Sequence, residues 1–370
     1  MVGQSLRLGR IAGIPVGINW SLLFIAVLLW SSLAGSVLPL AEPGLSPVAY
    51  AVVGLVAAVG FFASILAHEM GHAFTARHHG IPVLDVTLWL LGGVARLGRQ
   101  APTARSEILV AAAGPATSVA LGLVFTSAAS GLEAVGWDLS AAAAGWLGSV
   151  NFLLAVFNLI PAAPLDGGRV LAGILWALRG DRDGARLTAA RLGQAFGWIL
   201  VAIGGLALVT SGALALWPVL LGLFVLQAAG AERQMAELAR RYGDVTVGRI
   251  ASPPPWPVPA WATVDWLLHH IDPHAPPLVP VVDASGRTIG IVTADQVRHV
   301  VPEWRSGLTL GELAWPLERV TTVGVDDPVA QVAPLLTQPV PVVDAAGRVV
   351  GLVGPDEVAR LAEQRRRTAA

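Results

Sequence analysis

The chain has 370 residues, of which 54% are hydrophobic and only 13% charged, and its mean hydropathy of +0.65 lies well outside the range of ordinary soluble domains. The formal net charge is -1, every basic residue is an arginine, and there is no cysteine. Nucleic acid is thereby excluded as a partner for want of a basic surface, as are disulfides, thiolate metal sites and a cysteine nucleophile; any metal must be held by His, Asp or Glu. The composition describes an integral membrane protein with a polar part.

Arg7 and Arg10 precede a first apolar run, Ile18 to Leu40, which reads as a retained span rather than a cleaved signal. A turn rich in Pro and Gly (Pro39, Pro43, Gly44, Pro47) leads into a second span from Val48 to about Ala76, uncharged as far as Leu66. Its far end carries His68-Glu69-Met70-Gly71-His72. Positions i and i+4 share a helix face, so both imidazoles can reach one zinc ion while the glutamate approaches a water. Ionisable groups are costly in lipid, so three within five residues are hard to explain as filler.

Ile81 to Leu97 is too short to span; Pro82, Gly92, Gly93 and the β-formers around Val86 predict a hairpin or re-entrant loop, with an interfacial loop anchored by Trp89 as the alternative. An exposed strand there could pair with an extended substrate. A third span covers Ile108 to Ala129, where Gly114, Pro115, Thr117 and Ser118 read as helix packing. A fourth, Ala141 to Ile160, carries Asn151 and Asn158 on one face. Leu192 to Val209 and Leu214 to Ala229 bring the expected total to about six. Arginines cluster before span one, between two and three, between four and five and after six, which predicts cytoplasmic termini and puts the polar ends of spans two and four at the cytoplasmic face.

Catalytic zinc usually has three protein ligands. The best third candidate is Asp166, which follows Pro161 and Pro164 beyond the end of span four; the alternative is a helix cap before Arg169. After an amphipathic tether to Tyr242 and the passage Pro253 to Pro257, a repeat appears: Val279-Pro280-Val281-Val282-Asp283-Ala284-Ser285-Gly286-Arg287 returns as Val340-Pro341-Val342-Val343-Asp344-Ala345-Ala346-Gly347-Arg348. Each copy predicts a strand, a turn, a second strand and a helix capped by Asp. His269, His270, His274 and His299 read as surface residues.

The His-Glu-Met-Gly-His segment together with Asn158-Leu159-Ile160-Pro161-Ala162-Ala163-Pro164-Leu165-Asp166-Gly167-Gly168-Arg169 resembles the site-2 protease family of zinc intramembrane metalloproteases, in its bacterial and archaeal branch with C-terminal cystathionine-β-synthase (CBS) domains, which includes the sporulation-factor proteases. The resemblance implies a polytopic α-helical membrane protein with a C-terminal α/β CBS pair in the cytosol. It implies one zinc per chain on His68, His72 and Asp166, Glu69 as general base, and Asn158 and Asn151 close to the substrate or oxyanion, with helix packing as the alternative for Asn151. Many relatives have Asn near Thr117 and Ser118, so no catalytic role is expected there. The corresponding division is a protease domain over 1–232, a linker over 233–256 and a CBS pair over 257–370. CBS pairs commonly bind adenine nucleotides; Thr293 and Asp295 fit that pattern, Asp356 fits it partly because Gly354 replaces a hydroxyl, and a pair used only for homodimerisation is the alternative. The implied substrate is a membrane protein with a transmembrane helix. A CBS-regulated transporter and a catalytically silent scaffold are the competing functions.

Overall fold

The computed structural model describes residues 6–89, 92–211, 216–243, 245–253, 256–270 and 278–369. The chain divides into two compact units, Met1–Arg233 and Gln234–Ala370.

The first unit begins with a hairpin that the sequence pattern does not distinguish from the approach to span one. Strands β1 (Leu6–Ile11) and β2 (Ile14–Ile18) pair antiparallel. Ala12 and Gly13 between them both have positive φ, 48° and 82°, the signature of a two-residue turn whose twist matches its strands. The first helix, α1 (Ser21–Ala41), therefore starts later than expected. Helix α2 (Pro47–His78) runs straight through the His-Glu segment; the Ser46 hydroxyl accepts from the Ala49 N–H, and Pro47 occupies the first turn, where its missing donor costs nothing. Its buried face is mostly small (Gly54, Ala57, Ala58, Ser64, Ala73), whereas Val52, Leu55, Val56 and Val59 are exposed. Small residues inward and aliphatic residues outward suit a helix packed in lipid.

Strands β3 (Val83–Trp89) and β4 (Gly92–Leu97) form the predicted hairpin and join β2 by parallel pairing with β3, giving a sheet in the order β1-β2-β3-β4. Helices α3 (Ala104–Ala134), α4 (Asp138–Asn158), α5 (Asp166–Arg179), α6 (Arg182–Ser211) and α7 (Leu216–Tyr242) follow. Helix α3 opens with a capping box between Thr103 and Ser106. Among the described residues, five helices are long and apolar enough to cross a membrane, namely α1 to α4 and α6. The start of the sixth expected span, Leu214, lies outside the described residues; the rest of that run opens α7.

In the second unit both repeat copies fold alike. Strands β5 (Val258–Pro259), β6 (Leu278–Val282), β7 (Thr288–Thr293) and β8 (Trp315–Pro316) form one sheet; β9 (Val323–Gly324), β10 (Val340–Val343) and β11 (Val349–Val353) form the other. The central hairpins slip register at corresponding points, Val281/Val282 and Val342/Val343. In each turn an aspartate side chain, Asp283 or Asp344, accepts from the backbone two and four residues on. The helices that follow are not capped by Asp as expected. Helix α8 (Ala294–His299) is capped by the Thr293 hydroxyl, which accepts from the Gln296 N–H, while Asp295 sits too far along to cap. Helix α9 (Pro355–Ala369) has Gly354 before it, whose N–H donates to Glu357. Tyr242 and Val247, from the stretch expected to be linker, are buried in the core of the second copy with Val342 and Val353. His269, His270 and His299 are exposed, and His274 lies outside the described residues.

Candidate metal centre and active site

Three elements converge on one buried point. Helix α2 brings His68 and His72, 4% and 7% exposed, one turn apart on the same face. The chain leaving α4 is broken after Asn158 by Pro161 and Pro164 and turns back into α5, whose first residue is Asp166. Asp166 Oδ2 lies 3.2 Å from Nε2 of each histidine, and the two Nε2 atoms are 3.2 Å apart. Three ligand atoms thus form a nearly equilateral triangle. Tetrahedral zinc with bonds of about 2.0–2.1 Å holds its ligands about 3.3 Å apart, so this donor set fits that ion in size as well as in chemistry.

The remaining ring nitrogens are fixed from α3. Nδ1 of His72 donates to the Val110 carbonyl at 2.7 Å, and Nδ1 of His68 lies 2.8 Å from the hydroxyl of the fully buried Ser118, which can accept from it. A donor at each Nδ1 leaves each Nε2 lone pair free to face a metal. Nothing in the sequence singles out either acceptor; in the sequence Ser118 reads only as packing. Between them lies Gly114, where a β-carbon would land on Nε2 of His72 and sit 2.5 Å from Nε2 of His68. The helix is bare where the ion would sit.

Glu69 rests against β4, where a β-carbon at Gly93 would lie 2.8 Å from its Cδ. Behind Asp166, the buried Glu107 of α3 pairs with Arg169 of α5 at 3.4 Å and Arg186 of α6 at 3.5 Å, tying the start of α5 to two neighbours.

The other expected residues are placed less centrally. The Asn158 amide donates to the Leu154 carbonyl one turn back on its own helix, at 3.0 Å. Asn151 is 1% exposed and donates to Ser64 of α2 and to the Leu147 carbonyl, which is the packing role. In the second unit the Thr293 hydroxyl is engaged in its capping box, Asp295 is exposed and paired with Arg298, and Asp356 is exposed in the first turn of α9.

Comparisons with known proteins cover both parts of the chain. The sequence profile described as "Peptidase family M50" matches residues 56–143 and 133–202, and the CBS domain profile matches residues 310–363. The chain is 38% identical over 365 residues to "Putative zinc metalloprotease Rip3" of Mycobacterium tuberculosis, covering 97% of this chain and 93% of that protein. It is 32% identical to "Putative zinc metalloprotease sll0528" of Synechocystis, covering 95% and 94% respectively. Among solved structures, the "Site-2 Protease from Methanocaldococcus jannaschii" is 27% identical, with a TM-score of 0.43 over 62% of this chain and 94% of that one. The chain belongs to peptidase family M50, the site-2 proteases, and is a multi-pass intramembrane zinc metalloendopeptidase carrying a C-terminal CBS pair.

Proposed function

We propose that His68, His72 and Asp166 hold the zinc ion, that Glu69 is the general base, and that the substrate is a membrane protein whose transmembrane helix is cut from the cytoplasmic side. The observation that carries the assignment is the 3.2 Å triangle of Nε2, Nε2 and Oδ2, sized for a tetrahedral ion. Zinc, when bound, polarises the scissile carbonyl and makes water acidic enough to be deprotonated near neutral pH. Glu69 takes that proton and hands it to the leaving amide nitrogen. Asn158, at the mouth of the Asp166 loop, is assigned to the substrate or the developing oxyanion. A helical substrate hides its carbonyls in hydrogen bonds, so it must unwind locally, and the free edge of β4 beside Glu69 suits an extended segment.

The arginine distribution supports cytoplasmic termini. Within that topology residues 1–232 are the protease, 233–256 the connection and 257–370 a cytosolic regulatory CBS pair, which homodimerises and takes an adenine nucleotide at Thr293 and Asp295, with Asp356 at the second copy. The deciding experiment is Glu69→Gln in cells and in purified form. The variant is expected to keep about one zinc per chain, to lose cleavage of a membrane substrate and to accumulate that substrate uncut. Cleavage retained by Glu69→Gln overturns the mechanism.

A further inference from the structure

Among the described residues strand β4 is an edge strand, and the pairing register decides which of its backbone groups face outward. The Asn19 N–H donates to the Leu88 carbonyl at 2.8 Å, so the backbone groups of Leu88, and of Val86 two residues earlier, face β2. Leu88 stands opposite Gly93 and Val86 opposite Ala95. Neither is then a hydrogen-bonded pair, and the N–H and C=O of both Gly93 and Ala95 point away from β3, to the free edge. One of these outward groups, the Ala95 N–H, is two residues along the same edge from Gly93, against which Glu69 packs. Glu69 lies over the bare Cα of Gly93, where a β-carbon would come 2.9 Å from its Oε1.

We propose that the free edge of β4 is the positioning element of the catalytic glutamate, with the Ala95 N–H holding one carboxylate oxygen and Gly93 providing the seat. Helix α2 fixes only where the Glu69 side chain begins; three rotatable bonds then separate its backbone from its oxygens, and an unheld carboxylate spends little time aimed at the metal. A hydrogen bond from a sheet amide holds one oxygen and leaves the other for the water. The same edge that would receive an extended substrate therefore also sets the base, so the register of a paired peptide is measured against Glu69 through Gly93 and Ala95. This rests on Glu69 being the base.

The test is Ala95→Pro. The N–H it removes belongs to the free edge and not to the β3–β4 ladder, a place where proline is tolerated. With purified full-length enzyme and a membrane substrate in detergent, about one zinc per chain and a KM within about twofold of wild type are expected, with kcat about 10- to 100-fold lower. Unchanged kcat, or a raised KM with kcat intact, overturns the proposal, the second outcome meaning that this N–H serves the substrate. Should Ala95→Pro lose zinc, Gly93→Ala decides by the same split. Amide exchange gives a separate reading: in Glu69→Ala the Ala95 N–H should exchange more than about tenfold faster, whereas that of Val94, which faces β3, should not change. Equal protection of Ala95 in both proteins overturns the contact. Cleavage retained by Glu69→Gln instead removes the base assignment itself, and neither β4 variant can produce that result.

Discussion

The Ser118 hydroxyl lies 2.8 Å from Nδ1 of His68, completely buried and fifty residues away in sequence. As an acceptor from Nδ1 it would keep this imidazole in the tautomer whose Nε2 lone pair is free for a metal. Acceptors of this kind contribute about 10- to 100-fold to metal affinity. Ser118→Ala should weaken zinc binding by about that factor, read by competition with a chelator, and Ser118→Thr, which keeps the hydroxyl, should recover part of it.

Gly114 makes a steric prediction. A methyl group there would occupy the space directly over Nε2 of both histidines, so Gly114→Ala should purify with far less than one zinc per chain by elemental analysis. Gly131→Ala, in the same helix with nothing within 4 Å, should keep its metal.

Glu107 is 3% exposed between two guanidinium groups. Breaking a fully buried ion pair costs about 3–5 kcal/mol, but Arg169 and Arg186 are 36% and 28% exposed and can turn to water. Glu107→Ala should therefore cost about 1–3 kcal/mol, seen as a lowered thermal unfolding midpoint in detergent. Because Arg169 is three residues from Asp166, zinc affinity should fall as well.

The CBS unit should weaken in acid. Backbone and side-chain hydrogen bonds from Arg348 hold the Asp344 carboxyl below the usual range, and the Ser285 hydroxyl with the Arg287 and Ser285 amides does the same for Asp283. With folded values below unfolded ones, the stabilisation is complete above about pH 4 and is lost as pH falls through the folded values. Denaturant midpoints of this unit should hold down to about pH 5 and drop as pH falls below about 4, less steeply in Asp344→Asn; an identical slope in that variant would remove Asp344 as a cause.

Half of the site is legible in the amino-acid sequence. His68, Glu69 and His72 are local in sequence, and helical periodicity alone puts the two imidazoles on one face. Asp166 stands out because Pro161 and Pro164 forbid the helix from continuing, leaving a carboxylate at the membrane end of span four. The repeat is equally plain, since Val279 to Arg287 and Val340 to Arg348 match almost residue for residue. The expected Asp caps miss their helix starts, because a cap is set by where the helix begins, and Thr293 begins the first of them. The hairpin of Leu6 to Ile18 is hidden because its strands are short and, although Ile14, Val16 and Ile18 alternate with Pro15 and Gly17, the second runs directly into an apolar span.

What this sequence determines by itself is therefore whatever depends on near neighbours: the spans, the paired histidines, the break before Asp166 and the twofold repeat. Only the tertiary structure decides that Val110 and Ser118 of α3 meet the two imidazoles, that Gly114 leaves room over them, and that Gly93 of β4 lies against Glu69. Those partners lie between 24 and 50 residues from the groups they serve, and their chemical types, a carbonyl, a hydroxyl and two glycines, are common throughout the chain. Such groups gain a role through distance and direction, which packing supplies and local pattern does not.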